Sequence, residues 1–308
     1  MENQMTEDGS LRSVPQVESP ILTGGLTYDG NDELPEPQSS DEIIAAAAGS
    51  EVTVYSSGTL VKQGTILTGE TIASGANNSM YVSSGGTANS TTVNSRGYLH
   101  VSSGGTANFT TVNSSGYLGV FSGGTANSTT VSSGGGLTVS SGGAVSSTTL
   151  KGGSLKVLFG GTANTTTVSE GFLLVSSGGT ANTTTVSSEG FLFVSSGGTA
   201  ENTMVNSGGK LDIFGGTANS TTLKEGYLWV LSGGTAKNTT VNSGGRFNVS
   251  GGTANSTTLN EGGYLEVFSG GIANDITVNS SGYLGIASGG YRAQSSVSHI
   301  IPKRLLFR

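Results

Sequence analysis

Residues 82–108 read "VSSGGTANSTTVNSRGYLHVSSGGTAN", and this stretch begins to repeat itself before it ends. The segment Gly85–Asn89 returns nineteen residues later as Gly104–Asn108. Paired glycines recur at steps of 18 or 19 residues, beginning at Gly85, Gly104, Gly123, Gly142, Gly160, Gly178, Gly197, Gly215, Gly233, Gly251, Gly270 and Gly289. A fixed period in this range is typical of a solenoid in which each repeat forms one coil.

Three apolar columns keep their places within the repeat. The first lies eight residues after the first glycine of each pair, as in Val93, Val112 and Val131. The second runs through Leu99, Leu118 and Leu137, and the third lies two residues further on, at Val101, Val120 and Val139. Because successive side chains of a strand point to opposite faces, the second and third columns share one face of a strand.

One-residue deletions indicate where the turns lie. In the repeats beginning at Gly142, Gly160 and Gly215 the deletion falls between the first and second columns. In the repeats beginning at Gly197 and Gly233 it falls between the third column and the next glycine pair. Strands resist a one-residue slip because it turns every side chain to the wrong face, whereas turns rich in Gly, Ser and Asn tolerate it.

Each repeat is therefore predicted to form a strand (Thr87–Val93), a turn, a second strand (Tyr98–Val101) and a second turn. The fold class is all-β, a parallel β-solenoid of about 18–19 residues per coil. Eleven to twelve coils at about 4.8 Å each would give a rod about 55 Å long. Ala88 and its equivalents are expected to lie inside, where the walls of the coil come closest.

Composition divides the chain into four segments. Residues 1–51 are predicted to be disordered, because they are acidic (net charge −9 over residues 1–50) and hold most of the prolines. Within them, 43–48 could form a capping helical turn. Residues 52–84 are degenerate repeats expected to cap the stack, and 85–290 are the regular solenoid. Residues 291–308 form a basic tail with net charge +4.

Catalytic and metal-binding patterns are weak in this sequence. It has no cysteine and only two histidines, of which His100 is expected to be an exposed surface residue. The glycine pairs are followed by Thr-Ala-Asn and not by the aspartates of calcium-binding β-rolls, and no helix follows them to hold phosphate. The nearly neutral repeats offer no basic groove for nucleic acid. We predict no enzymatic activity, catalytic residue, cofactor or metal. No apolar run is long enough for a membrane span.

Three kinds of column recur beside the apolar ones. Asn89, Asn108 and Asn127 begin a column of asparagines that is expected to stack along the axis. Adjacent threonines such as Thr91 and Thr92 also recur, with one of each pair outward. An aromatic column, which we call the aromatic stripe, consists of Tyr98, Tyr117, Phe172, Phe191, Tyr227, Tyr264 and Tyr283. The stripe either stiffens the rod by stacking or forms a contact surface for a partner.

The repeat G-G-T-A-N-S-T-T-V-N-S-x-G-Y-L-x-V-S-S resembles the strand-loop-strand repeats of autotransporter passengers of the diffuse-adherence adhesin (AIDA) type, over about residues 82–290. This resemblance implies a right-handed solenoid on a bacterial surface or in the extracellular medium, although neither a Sec-type signal nor the translocating barrel of such autotransporters is seen. It implies adhesion or autoaggregation, with host or neighbouring-cell surface molecules or further copies as partners. It also implies a modifying glycosyltransferase, and the matching heptose acceptors are the turn serines Ser95, Ser114, Ser133, Ser188, Ser207, Ser243 and Ser280.

Two other functions remain open at this stage. The rod could be an inert spacer or carrier that holds another domain away from a surface. It could also be an ice-binding solenoid, although a single outward threonine from each Thr-Thr pair argues against a flat array.

Overall fold

The computed structural model describes residues 53–54, 59–61, 66–74, 78–279 and 281–292. These residues lie in one compact unit, Ser39–Arg308. Over the described ranges the secondary structure is entirely β, and the named strands pair in parallel. The chain forms a parallel β-solenoid, as its period predicts. The predicted disorder of 1–51 and the predicted helical turn at 43–48 lie outside the described residues.

Each coil has three sides, which we number along the chain from the glycine pair. The third side carries the second and third apolar columns and forms a sheet of 13 strands. Its strands are Thr59–Val61, Asn78–Val82, Gly97–Val101, Tyr117–Val120, Gly136–Val139, Ser154–Val157, Phe172–Val175, Phe191–Val194, Lys210–Ile213, Tyr227–Val230, Arg246–Val249, Tyr264–Val267 and Tyr283–Ile286.

The first and second sides belong to a sheet of 20 strands. First-side strands are Ile66–Thr68, Thr87–Asn89, Thr106–Asn108, Thr125–Asn127, Thr199–Glu201, Thr217–Asn219 and Tyr291–Arg292. Second-side strands are Thr53–Val54, Thr71–Ile72, Thr92–Val93, Thr111–Val112, Thr130–Ser132, Met204–Val205 and Thr222–Leu223. Six longer strands run through both sides, namely Ala144–Lys151, Thr162–Ser169, Thr180–Ser187, Thr235–Val241, Thr253–Leu259 and Ile272–Val278.

Like residues stack on like from coil to coil. Tyr117 lies in register with Tyr98, Leu118 with Leu99, and Val120 with Val101. The coil spacing is therefore that of neighbouring strands in a sheet, about 4.8 Å. Each column of the sequence thus becomes a line of side chains parallel to the solenoid axis.

The prediction of one continuous strand over Thr87–Val93 is wrong, because a corner divides this segment into two strands. Ser90 has φ of 54° and its equivalents are also left-handed, so the backbone turns between the first and second sides. Ala88 and Val93 both point inward, yet they are five residues apart, which a straight strand of period two does not allow. The left-handed conformation of Ser90 rotates the backbone, so that Val93 points inward even though it lies an odd number of residues after Ala88. A coil therefore has three bends and not the predicted two turns.

The three predicted apolar columns are buried, as is the alanine column that begins at Ala88. Towards the C-terminal end, Val278 and Ile286 are only partly buried. A further interior column is formed by ten threonines from Thr91 to Thr257, and the residue after each faces outward, a threonine everywhere except at Met204. Ile276 takes the same place in the last full coil, and Glu70 takes it one coil before Thr91.

The two glycines of each pair have different reasons to be glycine. Ser122 and Gly123 both have positive φ, and the Gly124 N–H donates to the Phe121 carbonyl at 2.7 Å, as in a type I′ turn. Gly124 has ordinary φ, but a Cβ there would lie 2.3 Å from the carbonyl oxygen of Val101 in the preceding coil. The coil below therefore excludes any side chain at the second glycine.

The described strands before Gly85 continue both sheets. Asn78–Val82 pairs with Gly97–Val101, and Thr71–Ile72 pairs with Thr92–Val93. The capping role of 52–84 stays a prediction, and 293–308 lie outside the described residues. Within the described ranges, no helix has the length and apolar character to cross a membrane.

Candidate functional site

The outer surface of the third side is the most varied surface of the solenoid. In strands Phe172–Val175 and Phe191–Val194 the residues before and after the buried leucine point outward, as their alternating burial shows. The aromatic stripe occupies the first of these outward positions. All seven of its residues lie on this surface, six of them half-buried and Tyr227 exposed.

Ring contacts connect neighbouring coils at three places along the stripe. The ring centroids of Phe172 and Phe191 are 5.7 Å apart with planes 10° from parallel. Those of Tyr264 and Tyr283 are 4.5 Å apart at 4°. Tyr98 and Tyr117 are 6.0 Å apart but tilted by 54°. Phe172–Phe191 and Tyr264–Tyr283 thus stack across coils, which is one of the two alternatives that the sequence left open for the stripe, whereas Tyr98 and Tyr117 make a tilted contact.

The stripe is interrupted by residues of other chemistry in the same column. Gly136 and Ser154 separate Tyr117 from Phe172. Nearer the C-terminus, Lys210 and Arg246 lie in register on either side of Tyr227, which is 39% exposed. The C-terminal half of this surface thus alternates rings with positive charges.

A second outward column runs beside the stripe and contains Lys156, Phe193, Asp212, Trp229 and Glu266. Trp229 is the only tryptophan of the chain and is 37% exposed. Its ring lies 6.0 Å from that of Phe268, with planes 9° from parallel.

Two acidic residues of this second column have local partners. Burial raises the pKa of Asp212, and the nearby Lys210 partly opposes that rise. The Tyr264 hydroxyl donates to Glu266 Oε2 at 2.6 Å. Burial raises the pKa of Tyr264, and this hydrogen bond raises it further.

His100 lies in this second column as well, and the prediction that it is an exposed surface residue is wrong. Its ring stacks on Tyr81 at 4.8 Å and lies 6.2 Å from the Tyr98 ring. Its Nδ1 atom is enclosed and has no hydrogen-bond partner. Burial lowers the pKa of His100 to about 4, so the imidazole is neutral at pH 7.

The predicted acceptor serines lie along the edge between the second and third sides. Ser114, Ser133, Ser188, Ser207 and Ser243 are exposed, and Ser95 is half-buried. Ser280 lies outside the described residues. Each of the six sits in a four-residue turn closed by a backbone bond, such as Gly116 N–H to Asn113 O at 2.9 Å. The edge thus presents primary hydroxyls on tight turns one or more coils apart.

Asparagine ladders hold both the first side and this turn edge in register. The Asn108 amide donates to Asn89 Oδ1 and the Asn127 amide to Asn108 Oδ1, each at 2.9 Å, which confirms the predicted stacking. A second ladder, which the sequence reasoning missed, runs beside the serines. In it the Asn113 amide donates to Asn94 Oδ1 at 2.9 Å. Such ladders extend the backbone bonding between coils into the side chains.

Metal-ligating groups are scattered over the surface. In the part of the chain that the structure describes, no three His, Asp or Glu side chains come together as a metal site would require. The surface offers rings, hydroxyls, amides and isolated charges, which are groups suited to binding.

Comparison with known proteins identifies the family to which this solenoid is similar. A family model described as "Adhesin of bacterial autotransporter system, probable stalk", named AIDA, matches residues 216–263 and 242–298. A solved structure, that of the TibC-catalysed hyper-glycosylated TibA fragment, is 39% identical with a TM-score of 0.65. The match covers 77% of this chain and 94% of the TibA fragment. The chain belongs to the AIDA adhesin family. The curated proteins yield no match.

Within this AIDA-family chain, sequence reasoning identified the stripe but missed the residues that make its C-terminal half distinctive. Lys210 and Arg246 break the aromatic pattern, so that pattern alone does not reveal them. Phe214, 49% exposed, lies just beyond the third column, in a place held by serine in many coils. Aligning each repeat position by position would have found all three, since residues in one column are neighbours in space.

Proposed function

We propose that this protein is a non-enzymatic adhesive rod, displayed on the bacterial surface or secreted, which binds through the outer surface of its third side. The observation that carries the proposal is the outward aromatic stripe, in which Tyr227 is exposed, with the exposed Trp229 and Phe214 beside it. Soluble proteins seldom expose contiguous aromatic surface without a binding role. Membership of the AIDA family supports a function as part of an adhesin, since its model is described as an adhesin of a bacterial autotransporter system; the words "probable stalk" in that description also fit the spacer alternative.

The proposal is tested by displaying the chain on cells or beads and measuring adherence to host cells and clumping. The test variant carries Tyr227→Ser and Trp229→Ser, and the control carries Thr162→Ser and Thr180→Ser on the first side. We expect the test variant to lose most adherence or clumping while the control keeps both. Circular dichroism verifies that both variants fold. Unchanged adherence and clumping in the folded test variant would favour the spacer or carrier.

The ice-binding alternative is supported less well. The first and second sides each carry one outward threonine column, through Thr87 and Thr92 respectively. The other outward column of the first side is the Asn89 ladder, whose amides bond to each other. A measurement of thermal hysteresis in solution would favour the ice-binding function.

We further propose that Ser95, Ser114, Ser133, Ser188, Ser207, Ser243 and Ser280 accept O-linked sugar, heptose in the first instance, from a glycosyltransferase. Five of these hydroxyls are exposed, and the similar TibA fragment is hyper-glycosylated by TibC. Intact-mass measurement after co-expression with such an enzyme tests this. Alanine at the exposed five should remove most of the added mass, whereas alanine at the outward Thr162 and Thr180 should remove none.

A further inference from the structure

Two exposed rings, Tyr227 and Trp229, form the centre of a small patch on the third side. Both point outward from strand Tyr227–Val230, two residues apart, and they are 39% and 37% exposed. This strand pairs with Lys210–Ile213 on one side and with Arg246–Val249 on the other. Neighbouring strands of a sheet are about 4.8 Å apart, so outward groups of adjacent coils lie within reach of one small ligand.

The indole of Trp229 is held in place by its own chain. It stacks on the ring of Phe268, two coils later, with centroids 6.0 Å apart and planes 9° from parallel. Phe268 is the only described residue whose ring contacts the indole. The stacking restricts the orientation of Trp229 while more than a third of the residue stays exposed. A ligand that packs on this ring therefore loses little free energy by ordering the side chain.

Asn248 lies beside the indole, in register with Trp229 on the next strand. The residue is only 9% exposed, yet its side-chain amide makes no hydrogen bond to the part of the chain that the structure describes. Buried side-chain amides normally have a partner, because they lose hydrogen bonds to water when they are covered. The amide of Asn248 therefore offers an unused donor and an unused acceptor next to an aromatic ring.

Arg246, on the same strand as Asn248, is an exposed cation without an ionic partner among the described residues. The two acids of the neighbouring coils are engaged elsewhere. Asp212 interacts with the charge of Lys210, and Glu266 accepts a hydrogen bond from a tyrosine hydroxyl. A planar guanidinium binds a carboxylate through two parallel hydrogen bonds. The patch is thus complementary to a ligand that brings its own carboxylate.

The shape and chemistry of the patch favour a sugar over an acidic peptide. Strand Tyr227–Val230 is paired on both sides, so a peptide has no free edge here to which it could add as a further strand. A pyranose ring carries C–H groups on its faces and hydroxyl groups around its rim. Its face matches the indole of Trp229, its hydroxyls match the amide of Asn248, and a carboxylate on the ring matches Arg246.

We propose that Tyr227, Trp229, Arg246 and Asn248, which we call the Trp229 site, bind an acidic sugar through its carboxylate and one face of its ring. This inference rests on the proposed adhesive function and names the class of its ligand. Trp, Tyr and Arg are also the residue types that most often dominate the energy of binding surfaces. One open site binds weakly, and many rods on one surface make the binding effective through multivalency.

Tryptophan fluorescence reports on this site directly, because Trp229 is the only tryptophan of the chain. The unglycosylated full chain is titrated with 3′-sialyllactose, with a hyaluronan tetrasaccharide, which contains glucuronic acid, and with lactose. We expect a saturable change in fluorescence with at least one of the two acidic sugars. Lactose, which lacks the carboxylate, should bind at least tenfold more weakly. The tighter of the two acidic sugars identifies the source of the ligand as terminal sialic acid or as a uronic acid polymer.

Variants of the cation test how the carboxylate is bound. Arg246→Gln should weaken binding of the acidic sugar at least tenfold, because the guanidinium is lost. Arg246→Lys keeps the charge but not the planar pair of donors, so it should recover only part of the affinity. Lys237→Gln removes an exposed lysine on the first side of the same coil and should bind as the wild type does. Circular dichroism verifies that each variant folds.

Several results would overturn the inference. They are a lack of saturable change with both acidic sugars, equal binding of lactose, and unchanged binding by folded Arg246→Gln. Equal binding of a hexaglutamate peptide would also overturn it, because the site would then recognise charge without a sugar. In each case, adherence to host cells that still depends on Tyr227 and Trp229 leaves the proposed adhesive function standing.

Discussion

The two adjacent glycines of a pair are each required for a different physical reason. Gly123 needs a left-handed φ of 78°, whereas Gly124 needs empty space because Val101 O lies 2.3 Å from where its Cβ would be. The first constraint is conformational and costs about 1–2 kcal/mol when violated. The second is steric against backbone, which no rotamer change relieves.

The adjacent pair provides a matched test at the residue scale. Gly124→Ala should destabilise the chain by roughly 3 kcal/mol, because the coil below must move. Gly123→Ala should cost about 1 kcal/mol, since nothing lies within 4 Å of its Cβ and only φ is strained. Urea denaturation followed by circular dichroism measures both. Equal costs would show that the coil below can shift to accept a methyl group.

His100 makes stability depend on pH. The pKa of this side chain is lowered by burial to about 4 in the folded chain, from 6.5 ordinarily. The unfolded chain therefore takes up a proton first, and stability is lost as pH falls from 6.5 towards 4. The loss is at most about 3 kcal/mol, at 1.36 kcal/mol per pKa unit.

Replacing the imidazole with a ring that does not titrate isolates this effect. Between pH 7 and pH 4.5 the urea midpoint of the wild type should fall further than that of His100→Phe, which keeps the stacking on Tyr81. Identical shifts in the two proteins would place the titration elsewhere.

At the scale of elements, the corner at Ser90 decides which threonines lie inside. The interior column from Thr91 to Thr257 consists of ten threonines whose Oγ1 atoms are buried without a hydrogen-bond partner. A buried hydroxyl without a partner costs about 1–3 kcal/mol. The β-branched shape suits the strand, but the hydroxyl adds nothing to packing there.

Valine has the same shape without the hydroxyl, so it tests this column directly. Thr166→Val should raise the free energy of unfolding by about 1 kcal/mol, because it removes an unpaired polar group from the core. Thr167→Val, at the neighbouring outward position, should change it by less than about 0.5 kcal/mol. A destabilised Thr166→Val variant would mean that the hydroxyl has a partner in solution.

For the whole molecule, the repeat makes the coil the unit of stability. Contacts are made between neighbouring coils, so stability approximates a sum over coils and their interfaces. Removing one complete coil should therefore preserve the fold, whereas removing part of one should not.

Deletion of Gly123–Ser141 removes nineteen residues and joins Ser122 to Gly142 in the same register. We expect the circular dichroism signal of β-structure per residue to be unchanged, and the melting temperature to fall by only a few degrees. Deletion of 123–131 instead brings polar residues into the core columns and should abolish cooperative melting. Loss of folding after the whole-coil deletion would show that this coil has a role beyond stacking.

The sequence by itself determined the period, the buried columns, the deletion-tolerant turns and the outward direction of the stripe. It could do so because each coil packs on near copies of itself, so that every column reports the same environment a dozen times. What only the tertiary structure decided is the corner at Ser90 and the enclosure of His100. These depend on one backbone φ and on residues that become neighbours only when the coils stack.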